Sequence, residues 1–226
     1  MLDVPRLRRP HGLKEQAYDQ VRSLILRGKL ALDTVYSAAQ FADMLGVSRT
    51  PVREALLQLV TEGYLSVIKQ EGYTLRRFTE KEIRELFETR RLIETYVAEQ
   101  VTGKLTETDV RQLRSTLKSM AALAGEGDIA GFLETDRAFH MTLLARLDNR
   151  LLASIMENIR GQVSLFALQA VGSHKGRTAE ILREHGEIID AIAGKDPRKA
   201  VRAMVDHLKT TEERVLSRIA SGAPKS

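Results

Sequence analysis

The chain of 226 residues contains no cysteine. That absence excludes a disulfide framework, thiolate zinc fingers and cysteine nucleophiles, and it accords with a reducing compartment. Arginines stand near the N-terminus, but no apolar h-region follows them, so no secretory signal is expected. No run of about 18 apolar residues occurs, so no membrane-spanning helix is expected either. Internal repeats and low-complexity tracts are also missing. The expectation is a cytoplasmic protein without a membrane partner. What is present is 43% hydrophobic and 29% charged residues, enough for a packed core in one large domain or two ordinary ones.

The net charge of +5 is unevenly distributed. Residues 1–78 carry 12 Lys/Arg against 8 Asp/Glu, a net of +4, which leaves +1 for residues 79–226. An excess in the first third is compatible with a polyanionic partner, although a surplus of this size is also ordinary for a solvated surface.

Residues 1–12 hold two prolines and little periodicity, and read as a mobile basic arm. A helix is predicted from Leu13 to about Arg27, with Ala17, Val21, Leu24 and Ile25 at helical spacing and Gly28 as a stop. Ala38–Leu45 reads as a second helix, followed by a turn at Gly46. Ser48 is placed to cap a third helix that tolerates Pro51 in its first turn and ends at Gly63. Tyr64–Lys69 and Tyr73–Phe78 are β-prone runs around Gln70-Glu71-Gly72, a hairpin pattern. Helix, helix, turn, helix, hairpin is the order of a winged helix-turn-helix. Beyond Phe78 the pattern is helical throughout. Thr79 and Glu82 form a capping box opening a helix to about Val101, and further helices are predicted over 106–124, 128–147, 150–171, 178–193 and 196–220. The fold class expected is mainly α, with the winged domain at 13–78 and an antiparallel all-helical bundle at 79–226.

On the third helix Val52, Ala55, Leu56 and Leu59 are assigned to the core. Arg49 and Arg53 lie one turn apart on the adjacent face. A recognition helix enters the major groove by its N-terminal end, where Ser48, Arg49, Thr50 and Arg53 stand. Arginine suits guanine and hydroxyls suit phosphate or base edges. Here the sequence resembles the GntR family of regulators, whose pattern "lgVSRtPVReAL..L..eG" with a following wing glycine is matched by Leu45 through Leu56, Glu62-Gly63 and Gly72. The resemblance implies DNA contacts from Ser48, Arg49, Thr50, Arg53 and a wing tip around Gly72. The chain departs from the family in having Leu32-Asp33 where a Pro-Gly turn is usual, and Ala38-Ala39 where a Glu-Arg pair is usual. The contact of that arginine is absent, and whether Gln40 replaces it is open.

Five histidines are present: His11 in the arm, His174 in a Gly-rich loop, and His140, His185 and His207 within predicted helices. Asp136 precedes His140 by four residues, which puts carboxylate and imidazole on one helix face. His185 and His207 belong to later helices that can converge on a bundle interior. Three imidazoles and a carboxylate suit a divalent metal such as zinc, nickel or manganese, though scattered helical histidines are also commonly plain core or surface residues.

The C-terminal part resembles the FCD ligand-binding domain of the FadR subfamily within the GntR family. Arg90-Arg91-Leu92-Ile93-Glu94 is similar to "R..lE", and Asp136-Arg137-Ala138-Phe139-His140 with Asp148-Asn149 to "D..FH…dN". His185 through Ile192, then Asp196, Ala200 and His207, is similar to "H..i..Ai…D…A…H". The resemblance implies metal ligation by Asp136, His140, His185 and His207, with zinc as the first choice, and a small carboxylate effector beside the metal. Arg90 is the expected second anchor for that carboxylate, since guanidinium and carboxylate pair in a fork, with a surface place on a charged helix as the alternative. Glu134 and Asp206 point away from the neighbouring ligands round their helices and are assigned no role. Six C-terminal helices resemble the VanR-like version of the domain. The functional expectation is a homodimeric, ligand-responsive repressor of pseudo-palindromic double-stranded operator DNA, and not an enzyme. Two alternatives remain open from the residues: a metal hydrolase at Asp136 and the histidines, and an unmetallated domain whose histidines grip an anion directly.

Overall fold

The computed structural model describes residues 12–171 and 176–220, so the expected arm up to His11, together with His174, lies outside the described residues. The chain divides between Arg76 and Arg77 into two compact units.

The first unit contains α1 (Leu13–Leu26), α2 (Ala38–Leu45), α3 (Arg49–Thr61), β1 (Leu65–Ile68) and β2 (Gly72–Leu75). Its core is built from one stripe of each helix: Ala17, Val21 and Ile25, then Phe41 and Ala42, then Val52, Ala55, Leu56 and Leu59. Each large apolar side chain removed from water contributes roughly 1.5–3 kcal/mol, so these stripes fix how the three helices meet. Leu24, assigned to the same stripe, is only half-buried. Helix α2 opens with a capping box in which Ser37 Oγ accepts from the Gln40 amide and Gln40 Oε1 accepts from the Ser37 amide. It ends at Gly46 in the left-handed region (φ 66°), where a side chain would be strained. Ser48 occupies the cap position of α3, but its hydroxyl accepts no capping hydrogen bond. The expected cap position is therefore filled by Ser48 without a side-chain hydrogen bond, and the residue is exposed.

The strands pair antiparallel, with Leu65 opposite Leu75 and Ile68 opposite Gly72. The turn is thus Lys69-Gln70-Glu71, one residue earlier than the sequence suggests, and Gln70 adopts positive φ at its apex. Gly72 is not at the tip of the wing. It sits in β2 at φ 148°, and a Cβ there would lie 2.4 Å from the Tyr36 carbonyl oxygen. Only glycine lets the two backbones close in a further pair of hydrogen bonds, from the Tyr36 amide to Tyr73 (2.7 Å) and from the Tyr73 amide to Tyr36 (2.9 Å). A single bridging pair has no alternation to detect, so no sequence pattern announces it.

The second unit is a bundle of α4 (Glu80–Val101), α5 (Glu107–Glu126), α6 (Ile129–Ala145), α7 (Arg150–Val171), α8 (Arg177–Ala193) and α9 (Pro197–Ala220). Capping boxes open α4 at Thr79 with Glu82 and α5 at Thr106 with Asp109. The main core joins Ile83, Phe87 and Val97 of α4 to Phe139 of α6, Ile188 of α8 and Met204 of α9. Helix α4 packs chiefly on α9, α8 on α9 and α5, and α6 on α5 and α7. The inward faces of α4, α6, α8 and α9 thereby meet in one interior.

Replacing Gly72 with Ala should separate the wing from Tyr36, at a cost of about 1–3 kcal/mol. Thermal denaturation should show a lower first-unit transition, and an unchanged transition would contradict the close approach.

Candidate DNA interface and metal centre

The N-terminal end of α3 presents Ser48, Arg49, Thr50 and Arg53 on an exposed face. Among the described residues neither Arg49 nor Arg53 has an ion pair. With Arg49, Thr50 and Arg53 on one side and Val67, Gln70 and Gly72 of the hairpin on the other, the first unit forms an open groove of about 660 Å³. Exposed guanidinium groups and unspent hydroxyls at a helix N-terminus are what phosphate and base contacts require. Gly72 shapes the groove through its backbone, while Gln70 and Glu71 form the protruding turn. Gln40, considered as a substitute for the family's arginine, has its amide oxygen engaged in the α2 cap.

In the second unit Asp136 and His140 come from α6, His185 from α8 and His207 from α9. One ligand atom from each lies within 4.8 Å of all the others. Asp136 Oδ1 is 3.4 Å from His185 Nε2 and 3.9 Å from His140 Nε2. All three imidazoles are buried, and His140 Nε2 and both ring nitrogens of His185 lack a hydrogen-bond partner. Orphaned nitrogens cost free energy in an interior unless something fills the space they face. Three nitrogens and one oxygen converging at this spacing fit a borderline divalent ion.

The groups behind these four orient them. Asp136 Oδ2 is held at 2.5 Å by Arg160 Nη2, leaving Oδ1 toward the imidazoles. His207 Nδ1 lies 2.8 Å from Glu184 Oε2. If that carboxylate holds the Nδ1 proton, Nε2 is left as a lone-pair donor. His140 Nδ1 is in close contact with Glu94, which is itself anchored by Arg90 Nε at 2.7 Å. His185 instead stacks on Phe139, with ring centroids 4.2 Å apart. Arg90 is therefore a buried residue and not part of a charged helix surface. It lines a cavity of about 40 Å³ together with Asp136, His207, Arg177 and Arg214.

Sequence reasoning assigned no role to Arg160, Glu184 or Glu94. Glu184 directly precedes His185, so its side chain leaves α8 about 100° away and meets His207 of α9 instead. Glu94 had one signal, its i, i+4 spacing from Arg90. Arg160 had none.

Burial, reinforced by Arg160, lowers the His140 pKa. Burial and the neighbouring imidazoles push His185 and His207 well below the ordinary histidine value. Burial alone would raise Asp136, but Arg160 and the histidines outweigh it and hold the carboxyl below its usual range. The same contest at Glu94 is won by Arg90, His140 and Arg160. At neutral pH the imidazoles are neutral and the carboxylates charged, which is the protonation state a ligating site needs.

Unfolded histidines titrate near about 6.5 and take up protons that the native cluster refuses. Stability from this source is whole above that pH and falls as the pH drops through it. Chelator-treated protein should therefore lose melting temperature between about pH 7.5 and 5.5. A second-unit transition that does not move over this interval would contradict the buried neutral imidazoles.

Comparison with known proteins gives the family. Residues 13–75 match the bacterial regulatory proteins of the gntR family, and residues 85–210 match the FCD domain. The chain is 27% identical over 203 residues to the HTH-type transcriptional repressor RspR of Escherichia coli K12, covering 90% of this chain and 89% of that protein. It is 28% identical over 200 residues to the gluconate operon transcriptional repressor of Bacillus subtilis 168, covering 87% and 82%. The solved structure of E. coli McbR/YncC superposes with a TM-score of 0.81 at 20% identity, covering 92% of this chain and 99% of that one, which supports the fold. These relatives are regulators and not enzymes. With a GntR-type winged helix-turn-helix followed by an FCD helical bundle, the chain belongs to the GntR family of transcriptional regulators.

Proposed function

We propose that the protein is a homodimeric repressor, of the FadR subfamily and its six-helix VanR-like branch, whose operator affinity is set by a small carboxylate effector bound beside a divalent metal. Residues 13–78 read DNA, and residues 79–226 bind effector and hold the dimer. A regulator of this kind acts where the chromosome is, in the cytoplasm, and no helix among the described residues is long and apolar enough to cross a membrane.

The reader is α3. Arg49 and Arg53 contact bases and phosphates, Ser48 and Thr50 contact phosphate through their hydroxyls, and the turn after β1, set by Gly72, follows the adjacent backbone. Two copies on a two-fold axis read a pseudo-palindrome. Support for the dimer comes from apolar side chains left on the surface of the second unit: Leu92 (70% exposed) with Tyr96 on α4, and Leu151 (71% exposed) with Ile155 on α7. Both pairs are at i, i+4 spacing, which lines one helix face.

The observation that carries the sensor is the convergence of Asp136, His140, His185 and His207, with orphaned nitrogens, beside a cavity lined by Arg90. A bound divalent ion, zinc first and nickel or manganese otherwise, would supply Lewis-acidic charge with positions free for an effector carboxylate. Asp136 and the three imidazoles hold the ion, Arg160 and Glu184 keep two of these ligands facing it, and Arg90 pairs with the effector. Effector binding changes operator affinity only if it favours one arrangement of the dimer over the other.

On a palindromic duplex selected from a random pool, two chains per duplex are expected. Arg49→Ala with Arg53→Ala should weaken binding by about two to six kcal/mol and flatten its salt dependence. Retention of both affinity and salt slope would overturn the recognition-helix assignment. Protein prepared without chelator should carry about one divalent ion per chain by elemental analysis, and His140→Ala should lose most of it. Stoichiometric metal absent from the parent protein at neutral pH would overturn the metal centre.

A further inference from the structure

The charged side chains around the histidine cluster balance in number, each guanidinium meeting at least one carboxylate. Arg160, 2% exposed, pairs with Asp136. Arg90 pairs with Glu94, and Arg177 pairs with Glu184 at 2.9 Å. At the rim Arg214, half exposed, pairs with Glu180 at 3.2 Å. Further off, buried Glu212 is answered by Arg91. Guanidinium and carboxylate groups are thus equal in number here, and imidazoles that ligate a metal do so as neutral rings. The interior is electroneutral among the described residues before any ion enters. The charge of Asp136, which would ordinarily offset part of a metal's charge, is already answered by Arg160.

A divalent ion held by these residues therefore brings two positive charges with no protein counter-charge. Unbalanced charge is strongly disfavoured in a buried site, so the compensation must come with the ligand. The cavity beside Asp136 and His207 is lined by the guanidinium groups that could receive it. Its volume of about 40 Å³ is small, equivalent to about three water positions. Buried Arg90 and Arg177 and the half-exposed Arg214 line it, and the last two share Glu180.

We propose that the ligand of the metal-loaded site is a small dianion, a short dicarboxylate, with one carboxylate toward the metal and Arg90 and the other toward Arg177 and Arg214. This rests on the metal-centre reading above and adds the charge and size class of the effector. A monocarboxylate would leave the site with an unpaired positive charge. A cavity of about 40 Å³ favours a short diacid over a longer one.

The test is calorimetric titration of zinc-loaded, full-length protein at pH 7.5 with malonate and with its monoamide, which has the same heavy-atom skeleton and one charge fewer. The same two ligands titrated against zinc in water give the intrinsic chelation preference. The protein should prefer malonate over the monoamide by about tenfold more than aqueous zinc does, as expected for one extra charge paired in a poorly solvated site. Arg214→Gln, at the rim and not a metal ligand, should weaken malonate several-fold and the monoamide much less. Equal affinities, a preference no larger than that of aqueous zinc, or zinc stripped from the protein by malonate would each overturn this proposal alone. Protein that takes up no zinc would overturn the metal centre and this proposal with it.

Discussion

The second unit is organised around the burial of one carboxylate and three imidazoles in the middle of an apolar bundle. Such groups remain in an interior only when their polar atoms are satisfied. Asp136 meets this by dividing its two oxygens, one to Arg160 and one toward the histidines. Arg160, in turn, must be placed on α7 to reach it, and Glu184 on α8 must face His207 on α9. These cross-helix polar contacts act alongside the apolar core of Phe87, Phe139, Ile188 and Met204, and they determine which faces of four helices can meet. The nitrogens left without partners mark where the arrangement is incomplete as a purely structural device. A core that only needed to be stable would have filled that space with hydrocarbon.

The first unit shows the complementary economy. Its polar recognition residues make few internal contacts, because packing is assigned to the opposite face of α3. Ser48 illustrates the division. It has the extended backbone of a cap residue, yet its hydroxyl is not used to cap the helix, and so remains available to an external acceptor or donor. Gly72 serves the same end indirectly. Its lack of a side chain lets Tyr73 pair with Tyr36, which ties the wing to the chain before α2 and holds the groove open beside Arg49 and Arg53.

Much of this was legible in local pattern. Helical periodicity, the Thr79–Glu82 cap and the glycine at 46 located the helices to within about two residues, because these signals depend only on neighbours in the chain, while the second strand ends three residues before Phe78. The Asp136–His140 pair was legible for the same reason, since one helix face is set by 3.6-residue geometry. The wing turn was misplaced by one residue, because Gly72 was read as a turn former when its use is a close backbone approach. Arg160, 24 residues from Asp136, offered no periodic signal at all.

By itself the sequence determined the order of elements, the assignment of Arg49 and Arg53 to the exposed face of a helix, and the presence of four ligand-type residues on three helices. These follow from short-range geometry and from residue chemistry. Only the tertiary structure decided that the four converge within 4.8 Å, that Arg90 is buried, and that every guanidinium around the cluster already has a carboxylate. Those facts depend on how α4, α6, α7, α8 and α9 rotate about their own axes when they pack. That rotation is fixed by the whole core at once, and no single segment encodes it.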